Sequence, residues 1–221
     1  MVGFERSQTE VLLYGVGRPP VRAFGHVRIP AMPKPQLVLA SQSPRRRELL
    51  TLLGFGFTVV PSRAEETPGE REPPTEFVTR VARDKGEEVA GRVSGAVVLS
   101  ADTIVVIDDN ILGKPIDEND AIRMLERLSG RQHSVYTGVA VLDSDTGSRF
   151  EGLEHTKVWF SDLSRETIKD YVRREDVTDK AGAYAIQGFA GVFIPRIEGN
   201  YHNVVGLPLP LTHQLLCQTS L

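Results

Sequence analysis

The chain is poor in several features that would mark whole classes of protein. It has one cysteine, Cys217, so no disulfide can form within it and a disulfide-stapled secreted scaffold is excluded. It has no surplus of one charge: the formal net charge is −3 with 25% charged residues, which gives no global pull toward nucleic acid or an anionic membrane. No stretch approaches the ~18 consecutive apolar residues of a membrane span. Near the start, the run Val11 to Val16 is interrupted by Gly15 and follows Glu5, Arg6 and Glu10, which is not the layout of a secretory signal. These absences point to a cytoplasmic protein with neither a nucleic-acid nor a membrane partner. Familiar catalytic signatures are missing as well. There is no G-x-x-x-x-G-K-[ST], no H-E-x-x-H and no C-x-x-C, and the 5 histidines show no metal-ligand spacing. His133, between Gln132 and Ser134, reads as a structural hydrogen bonder rather than a base.

What is present is the composition of an ordinary globular protein: 221 residues, 40% of them hydrophobic, enough for a well-buried core. Residues 1–35 stand apart, because Pro19, Pro20, Pro30, Pro33 and Pro35 break any regular element. They are expected to form an N-terminal arm, either flexible or upstream of a true start at Met32, ahead of a domain over 36–221. From Leu37 strands and helices alternate. Strands are expected over 37–40, 57–60, 96–107, 134–142 and 155–160, with one more near the end. Helices are expected over 44–53, 76–89, 117–128 and 164–172, with a closing helix after Pro210. A polar loop spans 62–74, Asp108-Asp109-Asn110 has hairpin-turn chemistry, and a Gly-rich loop covers 182–191. The pattern predicts an α/β protein with a long mixed sheet.

Four segments carry candidate chemistry. In Ser41-Gln42-Ser43-Pro44-Arg45-Arg46-Arg47, Ser43 is a good N-cap and Pro44 a good first helical residue. Three arginines then fill the first turn, where the helix dipole disfavours cations. The run is either a solvated helix face or a cradle in which free N–H groups and guanidinium forks take phosphate oxygens. Asp102 interrupts the apolar run 97–106, where a carboxylate is costly unless paired or metal-bound. It is placed at a bulge or strand end, in either a structural or a functional role. Lys114, in Leu112-Gly113-Lys114-Pro115, returns from the hairpin toward Asp102, though a lysine before proline is commonly just exposed. In Asp179–Gly188, small residues allow close backbone approach, and Gln187 either sits solvated or offers one donor and one acceptor to a base edge.

Together, and in this order, these segments resemble the Maf (septum formation protein) family of nucleotide pyrophosphatases. The resemblance rests on LVLASQSPRRRELL at 37–50, SADTIVV at 100–106, LGKP at 112–115, SGRQHSVYTGV at 129–139, DKAGAYAIQG at 179–188 and NVVGLP at 203–208. It spans about residues 36–218, and its one departure is Ser100, where the family usually has Gly. It implies two α/β lobes around a central cleft on a long twisted sheet, like the inosine triphosphate pyrophosphatase fold. It further implies that Asp102 is the base, that Arg45, Arg46, Lys85 and Lys114 hold the triphosphate beside Ser41 and Ser43, and that Glu66 belongs to the site. Asp102 and Glu66 suit a divalent cation, Mg or Mn.

The implied reaction is hydrolysis between the α- and β-phosphates. Arg45, Thr103 and Gln187 resemble the dTTP/UTP subgroup rather than a 7-methyl-GTP subgroup. A non-hydrolysing nucleotide-binding regulator of cell division is the alternative from another class, and a homodimer is left open. An RNA-binding role for Arg45–Arg47 is disfavoured by the net charge and the lack of interleaved aromatics.

Overall fold

The computed structural model describes residues 35–219 and 221. The expected arm over 1–35 therefore lies, but for Pro35, outside the described residues. In chain order the elements are β1 (Gln36–Leu39), α1 (Pro44–Leu52), β2 (Phe57–Val59), α2 (Pro74–Ala90), β3 (Ala96–Ile107), β4 (Asn110–Leu112), α3 (Glu118–Leu128), β5 (Gln132–Asp143), β6 (Arg149–Trp159), α4 (Arg165–Arg174), β7 (Arg196–Glu198), α5 (Tyr201–Val205) and α6 (Leu209–Leu216). Seven strands form one mixed sheet in the order β2-β1-β3-β5-β6-β7, with β4 paired to β3. β1 runs parallel to β2 and β3, and the remaining pairs are antiparallel.

On the face away from α2, the long strands β3 and β5 serve two apolar clusters. On one face of β3, the alternate residues Val97, Leu99 and Ala101 pack with Leu49, Leu50 and Leu215. Further along the same face, Val105 and Ile107 pack with Leu125, Ile168 and Tyr171. Thr103 is the polar residue between these two apolar stretches, so it marks where the lobes part. The other face carries α2, whose buried stripe runs Phe77, Val78, Val81, Ala82, Lys85, Gly86 and Val89. Gly138 on β5 lets α2 come close: a Cβ there would lie 2.5 Å from the Val78 carbonyl oxygen.

The sheet opens beside Asp102. β1 ends its pairing with β3 at Leu99, and pairing with β4 on that same edge starts only at Val105, opposite Leu112, so the intervening stretch of β3 faces a gap. On its other edge β3 pairs without interruption, Asp102 opposite Gly138. The expected bulge or strand end at Asp102 is thus corrected. The residue lies inside a regular strand, and the cleft exists because the neighbouring strand stops. Asp108 and Asp109, both at positive φ (50 and 58), make the tight turn that returns the chain as β4. Other departures are modest. β6 begins at Arg149, well before the expected 155, and the short α5 was not anticipated because only five residues form it.

Candidate active site

The gap in the sheet widens into a cleft of about 730 Å³ at the carboxyl end of β1. Its lining includes every residue that the resemblance assigns to the site, Ser41, Ser43, Arg45, Arg46, Glu66, Lys85, Asp102, Thr103, Lys114 and Gln187, but not Arg47 of the arginine run. Parallel strands followed by helices put ligands at this end, where a helix N-terminus points inward. Here that helix is α1. The Ser43 side chain caps it by accepting from the Arg46 backbone N–H at 3.4 Å, and Pro44 opens it.

Adjacent residues of β3 send their side chains to opposite faces, so Asp102 and Thr103 organise two different walls. Toward α2, Asp102 is buried (6% exposed) and its Oδ1 takes a hydrogen bond from Lys85 Nζ at 2.8 Å. The same Nζ lies 2.8 Å from Glu66 Oε1, and Lys114 Nζ lies 3.7 Å from the other oxygen of Glu66. Burial would raise the pKa of Glu66. The adjacent Lys85, with Lys114 and Arg46, outweighs that and holds its carboxyl below the usual range, so it stays ionised. The loop carrying Glu66 is held by Arg80, which donates to both oxygens of Glu72 at 2.7 and 2.8 Å and to the Thr67 carbonyl at 3.1 Å.

Toward the opposite face, Arg46 reaches across from α1. It donates from Nε to the Gly206 carbonyl at 2.9 Å and from its two terminal nitrogens to Ser41 Oγ at 3.3 Å and Thr103 Oγ1 at 3.1 Å. Thr103 pairs in turn with Thr137 Oγ1 at 2.9 Å, which donates to the Asn203 carbonyl at 3.3 Å. Burial lowers the pKa of Arg46, countered by Asp102 and Glu66, and guanidinium remains cationic throughout the working range. Arg45 pairs with Asp179 at 3.1 Å. Lys114 and Gln187 are exposed at the rim, Lys114 at 59%.

The cleft therefore collects five cations, Arg45, Arg46, Lys85, Lys114 and Lys180, around a helix N-terminus and three carboxylates, Glu66, Asp102 and Asp179. Such an array receives a polyanion, and the carboxylates supply either a base or oxygen ligands to a hard cation. Among the described residues no group of three or more His, Cys, Asp or Glu stands together as a metal site. Asp102 and Glu66 both converge on the one ammonium of Lys85.

Several supporting roles are not legible in the sequence. Thr137, Asn203 and Gly206 stand in the stretches that carry the family resemblance, but their contacts around Arg46 join positions far apart in the chain, which no local pattern announces. Asp179 stood in a noted segment, but nothing in its neighbourhood pointed to Arg45. His133, as expected, is structural: it is 2% exposed and its Nε2 pairs with Tyr184 Oη at 2.8 Å.

Fold and cleft together define an α/β protein with an anion-receptive cleft between two lobes. The chain belongs to the Maf-like protein family, which it matches over residues 36–219. It is 50% identical over 183 residues to the dTTP/UTP pyrophosphatase of Symbiobacterium thermophilum, covering 83% of this chain and 93% of that enzyme. It is likewise 50% identical over 182 residues to the dTTP/UTP pyrophosphatase of Vibrio cholerae, covering 82% of this chain and 96% of the other. Over 178 residues it is 50% identical to the enzyme of that name from Geobacter sulfurreducens, covering 80% and 93%. Among the described residues no helix is long and apolar enough to cross a membrane.

Proposed function

We propose that the chain is a nucleoside triphosphate pyrophosphatase that hydrolyses dTTP and UTP to the monophosphate and pyrophosphate. The observation that carries this reading is Lys85, which holds Asp102 and Glu66 at 2.8 Å each in a cleft that also gathers Arg45, Arg46 and Lys114. Attack on the α-phosphorus needs a water, a base, and neutralisation of the charge on the leaving pyrophosphate. Asp102 is the base. Its Oδ1 is taken by Lys85, which leaves Oδ2 to accept the proton of the attacking water. Arg45, Arg46, Lys85 and Lys114, beside Ser41 and Ser43, bind the triphosphate, and those contacts strengthen as charge moves to the leaving group.

A divalent cation, Mg or Mn, fits the donor set, because such ions take one or two carboxylates and complete their shell with phosphate oxygens. Asp102 and Glu66 would hold it, and it would supply further charge neutralisation on the phosphates. The name borne by the relatives supports the same reaction and substrates.

Gln187, at the rim in a loop of small residues, reads the base. Its amide accepts from the N3–H of thymine or uracil and donates to a ring carbonyl. Cytosine lacks that N3–H, and a mismatch of this kind costs about 1–3 kcal/mol, enough for roughly ten- to a hundredfold discrimination. The test is kcat/KM for dTTP, UTP, CTP, GTP and 7-methyl-GTP with the native chain and with Gln187→Glu. dTTP and UTP are expected to lead, and the substitution is expected to reorder the series. A best native substrate other than these two, or an unaltered ranking in the variant, would remove Gln187 from base recognition.

A further inference from the structure

Asp179 belongs to no step of the reaction described, yet it lines the cleft and ties the loop that carries Gln187 to α1. Arg45, in the first turn of α1, donates to Asp179 Oδ2 at 3.1 Å and to the Asp179 carbonyl at 3.4 Å. The other carboxylate oxygen, Oδ1, takes Lys180 Nζ at 2.7 Å. Lys180 Nζ also donates to the Asp176 carbonyl, which folds the loop back on itself. Beyond Asp179 the same loop is fastened to the far lobe: Gly182 N donates to the Gly113 carbonyl at 3.0 Å, and Tyr184 pairs with His133 at 2.8 Å. The loop then delivers Gln187 to the rim.

Among the described residues, Arg45–Asp179 is the one hydrogen-bonded tie from this loop to α1. A guanidinium has five N–H donors, so Asp179 does not exhaust Arg45 and leaves hydrogens for a phosphate oxygen. Two contacts to one residue, side chain and backbone, fix a planar fork in orientation as well as position.

The geometry points to Asp179 as a positioning residue for substrate selection: through Arg45 it locks the loop bearing Gln187 to the phosphate-binding helix, so that base and phosphates are read in one fixed register. This rests on the reading of Gln187 as the base-contacting residue. A loop released from α1 would still bind triphosphate but would hold Gln187 less firmly, and a mobile amide distinguishes bases poorly.

The test is a double-mutant cycle in the full chain, with Asp179→Asn, Arg45→Gln and the two combined, measuring kcat/KM for dTTP and for CTP. Asp179→Asn is expected to lower the dTTP-over-CTP preference by about tenfold. Arg45→Gln should lower it similarly, and the double variant no further, because both act through one contact. Asp179→Glu, which keeps the charge, should restore most of the preference and rules out a general loss of folding. An unchanged preference in Asp179→Asn, or additive losses in the double variant, would overturn the positioning role. The two readings fail separately. If Gln187→Glu does not alter the ranking, base recognition by Gln187 falls and takes this role with it. If Gln187→Glu alters the ranking while Asp179→Asn does not, only the role of Asp179 falls.

Discussion

Lys85 sits in the apolar stripe of α2, in helical step with Phe77, Val81 and Val89, and is only 7% exposed. A lysine there is tolerated because two carboxylates meet its ammonium, and removing either leaves a buried charge short of a partner. Asp102 is the more consequential of the two. Asp102→Asn keeps the shape, loses the charge, and is expected to reduce kcat by at least ~10²-fold with the fold retained. Circular dichroism and steady-state kinetics together check it, and near-native kcat in a folded variant would move the base elsewhere, with Glu66 the first suspect. His133 gives a second expectation at this scale. Burial pushes its pKa down to about 4 from 6.5, so the folded protein holds it neutral. The unfolded chain takes up that proton as pH falls below about 6.5, and the folded one only near 4, so stability is lost across that window and is fully present above it. The loss attributable to His133 is up to about 3 kcal/mol. Urea unfolding at pH 7.5 and 4.5 measures it, and His133→Asn should flatten the pH dependence, whereas an equal dependence in both proteins would contradict it.

Most elements could be read directly because their signals are local. Ser43-Pro44 starts α1, the apolar run over 96–107 is β3, and the Asp-Asp-Asn turn closes its hairpin. The setting of Asp102 differs from the sequence expectation for a physical reason: a charged residue inside a central strand looks like an interruption, while the actual interruption lies in the neighbouring strand, where β1 stops at Leu39. Lys85 stands in helical step with the apolar stripe of α2, but spacing alone gives it no chemical role, which only the family resemblance supplies. How closely α2 lies on the sheet was not legible, since it depends on Gly138 meeting the Val78 carbonyl from another element. Gly138→Ala would force backbone apart and is expected to destabilise the protein by roughly 1–3 kcal/mol, the usual cost of overpacking. It should also lower kcat, because α2 carries Lys85. Equilibrium unfolding and kinetics on the purified variant report both, and unchanged values would mean that α2 does not bear on β5 there.

At the scale of the whole molecule, two apolar clusters on one face of β3 and β5 leave a cleft where the sheet splits between β1 and β4. That arrangement could be anticipated only in outline from the alternation of strands and helices. The cross-cleft ties of Arg46 to Gly206 and Arg45 to Asp179 join residues too distant in sequence for any pattern to pair them. The chemistry assigned to the cleft is water attack at the α-phosphorus, and one measurement tests that directly: hydrolysis of dTTP in ¹⁸O-labelled water with Mg²⁺ present, the products analysed by mass spectrometry. The expected result is one pyrophosphate for each dTMP, with the label in dTMP. Label in the pyrophosphate would place the attack at the β-phosphorus, and dTDP with labelled orthophosphate would place it at the γ-phosphorus; either would contradict the assignment of Asp102 and its surrounding cations to cleavage at the α-phosphate.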